Sequence, residues 1–348
     1  MNQIDEILNE ARYKGCSDVH FSVGKKIACR YNGQLYELDR DYSNSEIFNM
    51  IISTVADYMK ENVEQGRDAD YTYVNESGRH RVNVYRESGN LCAAFRIIND
   101  RVKSLDELAL PDVLRRLCNE PRGMVLLTGP TGSGKSTTLA AMVDYINQNR
   151  NCHILTIEDP IEYVYQKGEA LIHQREIGMD VLDFNEALRS AMREDPDVIL
   201  VGEMRDYETI SSAITLAETG HLVFSTLHTI GASKTIDRII DVFPPHKQDQ
   251  IRTQLSGVLN AVVTQQLLPL ANGSGRTAAL EIMVATDAIR NMIRENKGPQ
   301  IDSAIQTGAA NGMVTLNAAL ANLVHQGLVT RETAIAYSSD PNEFKRYL

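Results

Sequence analysis

The chain has 348 residues, a formal net charge of −11 and a hydrophobic content of 43%. That length and apolar content fit two or three domains with sizeable cores, and the acidic balance argues against a duplex nucleic-acid binder, which needs a basic stripe. No apolar run reaches roughly 18 residues, so no membrane span is expected.

Residues 1–10 are polar and acidic and lack the apolar segment of a secretory signal. The five cysteines (Cys16, Cys29, Cys92, Cys118, Cys152) are scattered, odd in number and without a CxxC spacing. That argues against a disulfide framework or a zinc module and suits a reducing cytoplasm.

Ile4, Ile7, Leu8 and Ala11 recur at helical spacing and predict a short amphipathic helix. Alternating segments at 18–23, 27–31 and 34–38, with Asn32-Gly33 between the last two, predict a hairpin pattern. A helix is expected over 45–62. Strands are expected at 70–74, 79–87 and 91–98, separated by Glu76-Ser77-Gly78 and Ser88-Gly89-Asn90. Residues 1–98 therefore read as a small α+β domain with an antiparallel sheet. Residues 99–105, opening Asn99-Asp100-Arg101, are polar and read as a linker or hinge. From 106 to 348 apolar strands at 123–128, 153–158, 198–202 and 222–226 alternate with helices, which implies a parallel sheet. Beyond about residue 267 the chain reads as helical, with helices at 285–295, 301–308, 315–326 and 331–337 and a turn at Asn272-Gly273-Ser274-Gly275. The fold class is α/β with a smaller N-terminal α+β domain.

The sharpest chemical signal is Gly129-Pro130-Thr131-Gly132-Ser133-Gly134-Lys135-Ser136, a phosphate-loop pattern between an expected strand and a helix opening at Thr137. Glycines let backbone N–H groups turn toward an anion, and the helix N-terminus adds partial positive charge. Residues Gly129 through Thr137 are the expected nucleotide-binding stretch. Lys135 would reach the β- and γ-phosphates and Ser136 would ligate Mg²⁺. A glycine-rich turn with a stray lysine is the competing reading, and the strand–loop–helix context disfavours it.

The strand at 198–201 ends in Gly202-Glu203. A carboxylate there is ordinarily a solvated strand end, but after a phosphate loop it is the place for a Mg²⁺ contact through water. Glu158, Asp159 and Glu162 crowd the end of another strand; one of them could orient and deprotonate water, or the segment is an acidic turn held by Pro160. His221 and His228 flank the strand at 222–226; each reads as structural by default, and as a pair they could sense the γ-phosphate or bridge subunits. No third ligand lies at zinc spacing. Arg79, Arg81, Arg86 and Arg96 cluster in the first domain, where phosphoryl transfer would benefit from a delivered arginine.

In this order the motifs resemble the secretion-type ATPases that power type IV pili and type II secretion, over nearly the whole chain. Residues 156–162 resemble the family's aspartate box, 191–197 through Gly202-Glu203-Met204-Arg205-Asp206 its Walker B region, and Thr219-Gly220-His221 through Ser225-Thr226-Leu227-His228-Thr229 its histidine box. Ala288-Ile289-Arg290-Asn291-Met292-Ile293-Arg294-Glu295 resembles the C-terminal signature of the pilus-retraction subfamily, with Met292 where leucine is expected. A four-cysteine module and an additional N-terminal domain, usual in the assembly ATPases, are not found in this sequence.

The resemblance implies a homohexamer whose subunits pair a PAS-like N-terminal domain with a RecA-like ATPase domain, using ATP and Mg²⁺. It implies Glu162 as general base, Glu203 as the Walker B carboxylate, His221 and His228 as the histidine-box pair, and Arg81 and Arg96 as arginines reaching the nucleotide when the N-terminal domain closes. It also implies peripheral association with the cytoplasmic face of the inner membrane, an inner-membrane platform protein as partner, pilin as an indirect one, and no nucleic acid. The competing readings are an assembly or type II secretion ATPase, a nucleic-acid motor with a RecA-like core, and a scaffold that binds ATP without hydrolysing it. The acidic balance disfavours the nucleic-acid motor, and intact Lys135, Glu162 and Glu203 disfavour the scaffold.

Overall fold

Ile4, Ile7, Leu8 and Ala11 are buried along one side of the first helix, α1 (Gln3–Tyr13), as their spacing requires. The computed structural model describes residues 2–31, 33–98 and 101–347. Its contacts divide the chain into two units, Met1–Arg101 with Pro160–Tyr165, and Val102–Asp159 with Gln166–Leu348. The segment 160–165, which carries Glu162, thus groups with the first unit although it interrupts the second.

In the first unit α1 is followed by β1 (Asp18–Ser22), β2 (Ala28–Tyr31), β3 (Gln34–Glu37), α2 (Asn44–Thr54), α3 (Lys60–Glu64), β4 (Ala69–Asn75), β5 (Gly78–Glu87) and β6 (Asn90–Ile97). The six strands pair antiparallel in the order β3-β2-β1-β6-β5-β4. Burial alternates along β1 and through the middle of β5. Val19, Phe21, Val82, Val84, Ala93 and Phe95 face the helices, and Phe21 meets Phe95 edge to face at 5.2 Å.

The single helix expected over 45–62 is broken. A capping box between Ser43 and Glu46 starts α2, but Val55 and Ala56 turn extended, a 3₁₀ turn follows at Asp57–Met59, and α3 is separate. Burial of Val55 and Val63 in the same core outweighs continuation of the helix. Of the expected linker, Asn99 and Asp100 lie outside the described residues, as does Asn32 of the β2–β3 turn; residues 101–104 carry no regular structure.

The second unit runs α4 (Val113–Cys118), β7 (Gly123–Thr128), α5 (Lys135–Asn149), β8 (His153–Glu158), β9 (Leu171–Glu176), α6 (Phe184–Ala191), β10 (Val198–Val201), α7 (Tyr207–Glu218), β11 (Leu222–Leu227), α8 (Ala232–Asp241), α9 (Pro245–Val258), β12 (Leu259–Pro269), β13 (Arg276–Val284), α10 (Asp287–Arg294), α11 (Gly298–Thr307), α12 (Leu316–His325), α13 (Arg331–Tyr337) and α14 (Pro341–Phe344). The sheet order is β13-β12-β7-β11-β10-β8-β9. β7, β10 and β11 are buried at every residue, as parallel strands covered on both faces must be.

Two expectations fail here. The sheet is mixed and not wholly parallel, because β13 pairs antiparallel with β12 at the edge. The chain beyond residue 267 is not helical until Asp287; β12 continues to Pro269 and β13 follows. The expected turn at 272–275 is the hairpin connection between them, with Gly273 and Gly275 at φ 73° and 149° and Asn272 Oδ1 accepting from Ser274 N at 3.0 Å. β9 was also not expected; only Glu176 among its residues is buried, so it carries little apolar pattern.

The parallel registers set the carboxyl ends of the strands level. Leu227 of β11 is opposite Thr128 of β7, and Val201 of β10 is opposite both Ser225 and Ile157. The residues that follow β7, β8, β10 and β11 therefore share one sheet edge, the edge where open α/β sheets bind ligands.

Candidate phosphate-binding site

β7 ends at Thr128 and the chain turns through Gly129–Gly134 into α5, whose first residue is Lys135. Gly129, Gly132 and Gly134 have φ of 137°, 77° and 87°, a region closed to most side chains. The N-terminus of α5 has no side-chain cap, and its N–H groups and dipole face the loop. Lys135 folds back over the loop, and Nζ donates to the carbonyls of Gly129 and Pro130 at 2.8 and 3.1 Å. Ser133 Oγ is buried and has no hydrogen-bond partner among the described residues. Ser136 and Thr137 are half-buried in the first turn of α5.

One residue outside the motifs, Gln265 on β12, grips this loop. Its Nε2 donates to Ser133 O and its Oε1 accepts from Thr138 Oγ1, both at 2.8 Å and both buried. One strand residue earlier, Thr264 Oγ1 meets Thr128 Oγ1 at 2.9 Å. Nothing local could reveal the Gln265 contacts, because their partners lie more than a hundred residues away.

At the same sheet edge, Glu203 follows β10 and is 17% exposed. Arg205 Nη2 lies 2.7 Å from Glu203 Oε1, and His228 Nε2 lies 3.6 Å from Oε2. The end of β10 is clamped to β11: Thr226 Oγ1 donates to Gly202 O at 2.7 Å and Ser225 Oγ to Val201 O at 2.8 Å. Glu158 is nearly buried at the end of β8 and accepts from Thr156 Oγ1 at 2.7 Å. Past His228, α8 has no cap of its own. Glu281 of β13 serves, its Oε1 accepting from Ala232 N at 3.0 Å, and burial pushes its carboxyl above the usual carboxylate range.

His221 does not join this group. It precedes β11, at the strand's other end, about 23 Å from His228 at ~3.3 Å per strand residue. Its Nδ1 lies 2.8 Å from Leu216 O, and its carbonyl accepts from Gly123 N at 3.0 Å.

The first unit pairs two of the four arginines. Arg81 on β5 stands directly opposite Arg96 on β6, both exposed, and Arg96 stands opposite Asp18 on β1. Arg96 Nε donates to Asp18 Oδ1 at 3.1 Å, and Arg30 Nε approaches the other oxygen at 3.8 Å. Arg86 reaches Gly89 O in the hairpin, and Arg79 is half-buried. Glu162 is exposed in the irregular stretch after Pro160.

The signature segment forms α10. Ile289 and Ile293 are buried and Met292 packs against the main core. Arg290 donates to Ser256 O at 2.7 Å and Gly257 O at 3.0 Å, satisfying carbonyls at the C-terminus of α9. Among the described residues no helix is long and apolar enough to cross a membrane, and no three His, Cys, Asp or Glu side chains gather to hold a metal ion.

Comparison with known proteins agrees with this geometry. The family described as "Type II/IV secretion system protein" matches residues 1–336. The type IV pilus retraction ATPase PilT of Pseudomonas aeruginosa is 47% identical over 343 residues, 98% of this chain and 99% of that one. The twitching motility protein of Neisseria gonorrhoeae is 52% identical over 295 residues, 84% of this chain and 79% of that one. A crystal structure of the pilus retraction motor PilT with bound ADP aligns with a TM-score of 0.93 at 43% identity, covering 99% of both chains. The chain belongs to the type II/IV secretion system protein family, in the branch of the PilT-type retraction ATPases.

Proposed function

We propose that this chain hydrolyses ATP at the phosphate loop and uses the energy to power type IV pilus retraction. The observation that carries the reading is the intact loop, with Lys135 folded over it, in a chain that matches PilT of Pseudomonas aeruginosa from end to end.

The residues present fit a nucleoside triphosphate with Mg²⁺. The loop glycines and the uncapped start of α5 present N–H groups, Ser133 Oγ is a buried donor without a partner among the described residues, and Ser136 and Glu203 are hard oxygen donors of the kind Mg²⁺ takes. Few protein ligands are needed, because Mg²⁺ in such sites is held largely by phosphate and water. Ser136 would bind it directly and Glu203 through water. Bound Mg²⁺ neutralises charge on the phosphates.

Lys135 exchanges the carbonyls of Gly129 and Pro130 for the β- and γ-phosphate oxygens. Glu162 orients the attacking water and takes its proton. Arg81 and Arg96 supply positive charge to the transferred phosphoryl group. His228, beside Glu203, reports whether the γ-phosphate is present, and His221, at the far end of its strand, serves contacts between subunits. The working form is a homohexamer at the cytoplasmic face of the inner membrane. There, cycles of nucleotide binding and release drive hinge motion about residues 99–105, acting on a platform protein and through it on pilin.

Phosphate release from ATP by the purified protein, with and without Mg²⁺, tests the enzymatic half. Mg²⁺-dependent turnover lost in Lys135→Ala supports it. A wild-type protein that binds ADP but releases no phosphate contradicts it.

A further inference from the structure

Gln265 uses both ends of its amide on the phosphate loop. The NH₂ group donates to Ser133 O, the oxygen accepts from Thr138 Oγ1, both at 2.8 Å, and the side chain is 2% exposed. The two partners straddle the junction between loop and helix, so the amide spans the point where the loop's N–H groups are aimed. Its backbone is equally close: a Cβ on Gly129 would collide with the Gln265 carbonyl oxygen, and a Cβ on Gly134 would lie 2.8 Å from Gln265 Nε2. The first and last glycines of the loop are thus confined by the same residue of a strand more than a hundred positions along the chain. Thr264 ties the preceding strand end to β12 through Thr128 Oγ1.

We propose that Gln265 is a positioning residue for phosphate binding. It holds the Ser133 carbonyl turned toward β12, so that the peptide N–H groups around Gly134 and Lys135 stay turned toward the anion. A loop free to flip that peptide would present a carbonyl to the phosphates and would bind them weakly. This proposal rests on the nucleotide-binding reading of the loop and adds that β12, a strand outside every recognised motif, sets the loop's geometry.

The discriminating ligands differ in phosphate content. Pyrophosphate and ADP probe the loop, whereas adenosine does not. In Gln265→Leu the Ser133 carbonyl loses its partner, and in Gln265→Glu a carboxylate faces that carbonyl while the acceptor for Thr138 Oγ1 is kept. Both variants are expected to bind pyrophosphate and ADP about ten- to a hundredfold more weakly than wild type, the loss expected for one buried hydrogen bond. Any adenosine binding should be unchanged, and residual ATP turnover should show a raised KM with a smaller change in kcat.

Calorimetric titration of the purified full chain with each ligand, alongside its melting temperature, makes the test. Phosphate-dependent loss in a variant that melts within a few degrees of wild type supports the proposal. A variant that melts much lower but binds ADP and pyrophosphate as wild type does would make Gln265 structural only. If Gln265→Leu does not fold, Gln265→Glu and the milder Thr138→Val, which removes one of the two bonds, carry the same comparison. A wild-type protein that binds neither ADP nor pyrophosphate overturns the nucleotide reading itself, and this proposal with it.

Discussion

Arg81 and Arg96 stand directly opposite one another on neighbouring strands, and Arg96 is hydrogen-bonded to Asp18. Like charges at paired positions of an antiparallel sheet are unfavourable, and here they face solvent on a surface whose other side packs on helices. Such a pair is well suited to meeting a polyanion. Arg81→Glu places a carboxylate opposite Arg96, so it should leave the melting temperature level or slightly raised while lowering ATP turnover by about a hundredfold or more. Thermal melts and phosphate release on the same sample check it. Turnover retained in Arg81→Glu would remove Arg81 from the chemistry.

Lys135 and Glu162 should separate binding from turnover. Lys135→Ala removes the ammonium now bonded to Gly129 O and Pro130 O and should weaken ADP and ATP binding by at least about tenfold. Glu162→Gln is exposed and isosteric and should bind ATP as wild type does, with turnover reduced by about a hundredfold or more. Normal turnover in Glu162→Gln would sink its assignment as general base.

The two histidines should behave differently. His228 lies 3.6 Å from Glu203 at the loop edge, so His228→Ala should lower kcat with little effect on folding. His221 makes its contacts with Leu216 and Thr219 at the opposite edge. His221→Ala should therefore leave nucleotide affinity unchanged and cost about 1 kcal/mol of stability at most. Equal loss of ADP affinity in both variants would contradict the placement of His221 away from the nucleotide.

Acid should destabilise the first unit through His80. Its ring is fully buried, and burial, followed by the nearby positive charge of Arg12, holds its pKa down at about 4. The unfolded chain takes up this proton near pH 6.5 and the folded chain does not until about pH 4. Stability is therefore whole above pH 6.5 and falls by up to about 3 kcal/mol as the pH drops through that window. Chemical denaturation at pH 7.5 and 5 should show the loss in wild type and a smaller one in His80→Leu. Equal pH dependence in both would assign the acid sensitivity elsewhere.

Legibility in the sequence followed locality. The phosphate loop, the strands around it and the N-terminal hairpins depend on residues adjacent in the chain, and glycine spacing or alternation reports them directly. β12 and β13 escape notice in part because α9 passes into β12 at Leu259 without an intervening loop, so no turn signal marks the boundary. The break after Thr54 was missed because burial of Val55 and Val63, and not local propensity, decides it. Gln265 was invisible for a related reason, since a glutamine in a strand says nothing until the loop it grips is in place. The separation of His221 from His228 follows from strand length alone and was available to a reader who counted residues along the strand.

If ATP hydrolysis by this chain withdraws pili, the number of surface pili will show it on cells lacking the protein, complemented with wild type or with Glu162→Gln. Excess, non-retracting pili are expected in the deletion and in the Glu162→Gln strain, and normal numbers with wild type. Bald cells in the deletion would contradict it and would make this chain an assembly motor.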